Sequence, residues 1–249
     1  MEHVRLGYPD AALHEASAAA VARVLEAHEL EVEYVPIAAD AVAGTVSGAG
    51  AAIDLFASAW LPTTDAPLLA SGRMLPLGTL YRPAFIWCVA AAGPATIADL
   101  DAAASMDRRI LVDGSSPSAA LADHVLHAYA LDRAGYVVER VSGQAATDWA
   151  RAADPSRIVP LSRPHDLLHA SGMRALEDPI AALGPEQEAR LLIRRELRTE
   201  LDGDLIDELE ALTLGNRVVS AMAHVMRIDG LSAEAAADAW QRGKLTPRA

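Results

Sequence analysis

A chain of 249 residues with 52% hydrophobic side chains has room for one large domain or two small ones and can bury a sizeable core, which excludes a disordered chain. Twenty-one basic against thirty-four acidic residues give a formal charge of −13, which argues against a sequence-independent grip on nucleic acid or on an anionic membrane surface and suits a cationic or zwitterionic partner. One cysteine, Cys88 in the apolar run FIWCVAAA, allows no internal disulfide, and no apolar run approaches the ~18 residues needed to span a bilayer.

Residues 3–8, HVRLGY, alternate well enough for a strand. Pro9 and Asp10 turn the chain into an alanine-rich helix over residues 14–28, with Asp10 as N-cap and Ala18, Val21, Val24 and Leu25 on the buried face. Residues 31–37 read as a second strand, and a helix over residues 40–47 is expected to end on Gly48 as a left-handed cap. Residues 51–59 form a short buried strand, apolar apart from Asp54 and Ser58, that delivers Trp60 at its carboxyl end. Helices alternating with strands predict an α/β fold with parallel, doubly wound sheets.

A strand over residues 74–81 follows, and Pro83 opens the apolar run 84–92. The alternation then resumes. Thr96 reads as an N-cap, and strands are predicted at residues 109–113, 135–141 and 157–162, with helices at 119–130 and 147–153 between them. The end of the chain reads as helical, with a charged amphipathic helix over residues 186–199 and further helices over 201–214, 217–226 and 232–242, the last capped by Ser232.

Signatures of catalysis are missing. Gly44, Gly48 and Gly50 precede a strand, whereas a dinucleotide fingerprint follows one, and neither GxxxxGK[ST] nor GxSxG occurs. The pairs His124/His127 and His165/His169 lack a third ligand at recognisable spacing. No enzyme activity, metal or cofactor is therefore expected. Trp60 has two readings: a core residue plugging the sheet edge, or a flat platform for a small ligand outside the strand's carboxyl end.

The stretch IDLFASAWLPTTDAP, with RLGYPD before it and LGTLYRPAFIWCV, TIADL, PHD, LEDP and DGLSAEAAADAW after it in order, resembles the substrate-binding proteins of glycine betaine and other quaternary-amine (osmoprotectant) ABC importers. The resemblance implies a two-lobed, type II periplasmic-binding-protein clamshell closing on its ligand. Lobe I would comprise residues 1–84 and 172–249, and lobe II residues 85–171. It implies a monomeric receptor for a small zwitterionic or quaternary-amine-like molecule, handed to an ABC permease and ATPase outside the cytoplasm. The residues after Met1 lack the basic and apolar regions of a signal peptide, so a cytosolic ligand sensor or storage protein on the same fold stays open.

By the same resemblance Trp60 is a first aromatic wall for a quaternary ammonium head, and Tyr136 a weaker second one. The third wall lies in a W-x-P-H-W motif of the family, where this chain reads Ser162-Arg163-Pro164-His165-Asp166. His165 is kept as partner for a ligand carboxylate; both tryptophans are gone, and Ser162 and Arg163 place donors there. Trp87 or Tyr81 could supply the missing face, though Trp87 reads equally well as core. The segments Pro9 to Ala12, which includes Asp10, and Ser115 to Ser118 follow strand ends, begin helices and offer free N–H groups to an anionic end, with Ser115 and Ser116 adding hydroxyls and Thr63 just beyond Trp60.

Overall fold

β1 (His3–Pro9) runs parallel to β2 (Glu31–Ile37) in register from His3 opposite Glu31 to Pro9 opposite Ile37, and pairs on its other side with β3 (Leu55–Leu61). The computed structural model describes residues 3–48, 53–114, 116–152, 154–165 and 172–245. Between β1 and β2 lies α1 (Ala12–Ala27), which buries Ala16, Ala18, Ala19, Ala20, Val21, Ala22, Val24 and Leu25. The N-cap position belongs to Ala11, with no side-chain cap; Asp10 instead spends its backbone N–H on the Ile37 carbonyl. α2 (Val42–Ser47) ends on Gly48 in extended backbone (φ −67°, ψ 162°), so the expected left-handed cap does not form.

The largest departure from the sequence reading lies at residues 186–199. Their leucines and charges suit an amphipathic helix, yet Glu188–Arg194 is a strand, β10, and only Arg195–Glu200 is helical (α5). β10 enters between β3 and β4 (Met74–Tyr81), antiparallel to both, giving the strand order β2-β1-β3-β10-β4. Ala189, Leu191, Leu192 and Ile193 are all fully buried. A segment covered on both faces and bordered by two strands must satisfy its backbone N–H and C=O groups sideways, and that requirement overrides helix propensity.

The chain divides into two compact units, Met1–Pro83 with Gln187–Ala249, and Ala84–Glu186. The sequence reading placed the return at residue 172; in the structure β9 (Met173–Ala175) still pairs with β5 (Ala84–Ala90), and the division falls after Glu186. The first unit is completed by α6 (Gly203–Ala211), α7 (Gly215–Ile228) and α8 (Ala233–Gln241), the last capped by Ser232, whose hydroxyl accepts the Ala235 N–H.

In the second unit β8 (Val159–Arg163), β5 and β9 form an antiparallel sheet. β6 (Arg109–Asp113) and β7 (Val137–Val141) pair in parallel around α3 (Pro117–Ala128). α4 (Gly143–Arg151) follows β7 and is capped by Ser142. The core gathers Trp87, Ile110, Val125, Tyr136 and Ile158.

Gly78 in β4 is where α6 comes closest to the sheet: a Cβ there would lie 2.3 Å from the Glu210 carbonyl oxygen. Backbone cannot yield as a side-chain tip can, so Gly78→Ala is expected to cost about 1–3 kcal/mol. Urea unfolding of the variant against wild type measures it.

Candidate functional site

Trp60 is the sixth residue of β3, near its carboxyl end, and keeps only 8% of its surface exposed. Its backbone N–H donates to Asp65 Oδ2 at 2.6 Å, its indole Nε1–H donates to the Tyr81 hydroxyl at 3.0 Å, and its ring lies tilted against His14, centroids 5.6 Å apart. Register explains the second contact. Ala189 of β10 is opposite both Trp60 of β3 and Tyr81 of β4, so all three side chains share one face, and the small alanine lets the larger two meet above it.

The Tyr81 hydroxyl also bonds Ser58 Oγ, and Ser58 Oγ lies 2.7 Å from His14 Nδ1. Ser58 is fully buried and sits at φ +69°, left-handed backbone inside a strand. A bulge is the cause: Ala57 and Ser58 together oppose Leu191 of β10. Such backbone costs about 1–3 kcal/mol in a residue other than glycine, and bulges of this kind re-aim side chains beside functional sites. Here the bulge turns the Ser58 hydroxyl toward His14 and Tyr81.

Electrostatics follow from burial. Desolvation pushes the Tyr81 phenol up to about 12 against the hydrogen bonds that favour its anion, and raises Asp65 despite the N–H it accepts. Burial, then the carboxylates of Glu234 and Asp10, raise Glu15 in the first turn of α1. Burial and the same acidic neighbourhood raise Tyr8. The start of α1 therefore carries negative potential. His14 is half-buried, and desolvation pushes it down to about 4.

Of the residues singled out in the sequence, those in the first unit gather near Trp60. Thr63 is exposed and donates to Gln187 Oε1 at 2.5 Å, an oxygen that also takes the Thr64 N–H at 3.0 Å. Pro9 and Asp10 precede α1; the Ala11 N–H donates to the Pro9 carbonyl and the Asp10 N–H to the Ile37 carbonyl. In the second unit Ser116 caps α3, accepting from Ser118 N at 3.3 Å, while Ser115 lies outside the described residues, as do Asp166 and His169. Ser162 and Arg163 end β8, Arg163 pairing with Glu186 at 3.6 Å, and His165 follows half-buried. Trp87 and Tyr136, proposed as walls, are each 1% exposed in that unit's core, and the Tyr136 hydroxyl donates to the Leu100 carbonyl. Packing takes up both rings in that core.

The comparisons join these observations. A profile of the substrate-binding domain of ABC-type glycine betaine transport systems matches residues 2–242. The chain belongs to that family. Its fold is that of the two-lobed binding proteins of these importers, as solved structures show. Lactococcal OpuAC, closed and complexed with glycine betaine, is 20% identical, with a TM-score of 0.77 over 98% of this chain and 96% of that one. The glycine betaine, L-proline-binding protein ProX of Borrelia burgdorferi is 18% identical, with a TM-score of 0.75 over 95% of this chain and 91% of that one. A choline-binding protein in complex with choline is 18% identical, with a TM-score of 0.74 over 97% and 88%. No curated protein sequence matches the chain. Among the described residues no group of three or more histidine, cysteine or acidic side chains could hold a metal ion, and no helix is long and apolar enough to cross a membrane.

Sequence reasoning missed His14, Gln187 and Asp65. Ser58 had been visible as one of two polar residues in an apolar strand, but its partner lay 44 positions earlier, on a helix face indistinguishable in sequence from any other.

His14 gives a pH signature. An unfolded histidine titrates near 6.5; held down to about 4 by the fold, it binds its proton later than the unfolded chain does. Between those values protons favour unfolding, so this contribution is absent above about pH 7 and increasingly destabilises as pH falls through 6.5 toward 4. His14→Gln is expected to flatten that part of the stability profile, read from urea midpoints at several pH values.

Proposed function

We propose that the chain is the receptor for a small zwitterionic or quaternary-amine-like ligand, which it presents to an ABC permease and its ATPase, and that Trp60 is the aromatic wall on which the cationic end rests. The observation that carries this reading is the anchoring of Trp60: an indole held through Nε1 and through its own backbone N–H, at a strand's carboxyl end, is a preorganised surface. A quaternary ammonium has no N–H to donate, so an aromatic face is what can hold it, at about 0.5–2 kcal/mol per face. Asp10 and Glu15 at the start of α1, with Glu234 in the first turn of α8, supply a negative field of the sign a cationic head prefers. The structural relatives bound to glycine betaine and to choline support the same ligand class.

The cage is altered. The motif carrying tryptophans in the family reads Ser162-Arg163-Pro164-His165-Asp166, and the structure uses Trp87 and Tyr136 as core. One missing face costs about 1–2 kcal/mol, roughly tenfold in affinity. Ser162 and His165 suit a ligand with an anionic or hydroxyl-bearing end.

Trp60→Ala is expected to lower ligand affinity about tenfold or more, beyond what its lower melting temperature explains; unchanged affinity in calorimetric titration would return Trp60 to the core. In a thermal-shift screen of betaines, choline, carnitine, sulfonium osmolytes and small carboxylates, glycine betaine is expected to stabilise weakly. Tight betaine binding would show the cage to be complete.

A further inference from the structure

The proton count of the hydrogen-bond chain beside Trp60 has a consequence for what lies next to it. The indole Nε1–H can only donate, so the Tyr81 hydroxyl accepts it; between Tyr81 and Ser58 Oγ either hydroxyl can be the donor, and Ser17 Oγ also lies within hydrogen-bond reach of Tyr81. With Tyr81 donating to it, Ser58 Oγ donates in turn to His14 Nδ1. Nδ1 being the acceptor, a neutral His14 carries its proton on Nε2. The hydroxyl of Ser17, buried nearby, spends its proton on the Leu13 carbonyl at 3.0 Å. Nε2 makes no hydrogen bond among the described residues, and it is not one of the buried polar atoms that lack a partner, so it reaches solvent.

We propose that His14 is a ligand-binding residue, whose Nε2–H donates to an acceptor group, a carboxylate or hydroxyl, carried a few bonds from the cation that rests on Trp60. This rests on the reading of Trp60 as the cation's wall. The imidazole and indole centroids lie 5.6 Å apart, within the length of a small zwitterion. The carboxylates of Asp10, Glu15 and Glu234 near the start of α1 oppose a ligand anion and favour its cation, so what recommends His14 is donation without added positive charge. A cationic donor such as arginine or lysine beside Trp60 would repel an ammonium head, whereas burial keeps His14 neutral down to about pH 4, so it can donate without that repulsion. The Ser58 bulge acquires a purpose as well: it locks the imidazole from behind and so fixes which nitrogen faces outward.

The test is an NMR-detected titration of the full chain with three probes that share a quaternary ammonium: glycine betaine, choline and tetramethylammonium, the last having no acceptor. His14→Phe is expected to weaken glycine betaine and choline about tenfold while leaving tetramethylammonium within about twofold, and His14→Gln, which keeps a donor, to recover part of the loss. Equal losses for all three probes, or none for any, overturn the proposal. Long-range proton–nitrogen spectra give a readout that needs no ligand and no variant to fold: the Nε2–H tautomer is expected, and an Nδ1–H tautomer overturns it. Trp60→Ala separates the parent reading. If tetramethylammonium binds that variant as it binds wild type, the wall is wrong whatever His14 does; if no probe perturbs the wild-type spectrum, both fall.

Discussion

The first unit is held closed by one strand that arrives late in the chain. β10 supplies the hydrogen bonds that β3 and β4 lack, and without it these two consecutive strands would each present a bare edge to the protein interior. Its side chains Leu191, Leu192 and Ile193 are fully buried, so removing it would expose the apolar faces of its neighbours as well. The unit is thus assembled from both ends of the sequence, with Met1–Pro83 waiting on Gln187–Ala249. Such non-local pairing is entropically expensive to form and slow to nucleate.

The same strand builds the surroundings of Trp60. Ala189 sets Trp60 and Tyr81 at matched heights, and Gln187, next but one before it, fastens Thr63 and Thr64 just after Trp60. Where β10 and β3 fall out of step, the extra residue is Ser58, and the strained turn of its backbone connects the helix residue His14 to the sheet residue Tyr81. Packing, register and polar contacts converge on one indole. A buried network of this kind is specific because an unmet donor within it would cost about 1–3 kcal/mol.

The second unit follows a different logic. Its aromatics serve stability: Trp87 and Tyr136 fill a core shared with Ile110, Val125 and Ile158, and Arg108 lies over the Tyr136 ring at 4.4 Å. What it offers at the ends of β8 and α3 is polar, in Ser162, Arg163, His165 and Ser116.

Much of this was legible in the sequence. The alternation of β1, α1, β2 and β3 is local, since strand and helix periods differ and each segment lies within a few turns of its own breakers, and Met74–Tyr81 and Arg109–Asp113 could be read residue for residue. The family was carried by ordered words along nearly the whole chain, among them the one holding Trp60. The tertiary structure alone decided the state of residues 188–194, because glutamate, arginine and leucine favour a helix until two waiting strand edges demand a third strand. It also decided which aromatics were core, since burial of Trp87 and Tyr136 depends on what packs above them. The pairing of His14 with Ser58 likewise had no sequence signature: 44 residues separate them, and only a bulge set by the register of a strand 130 positions further on brings them to 2.7 Å.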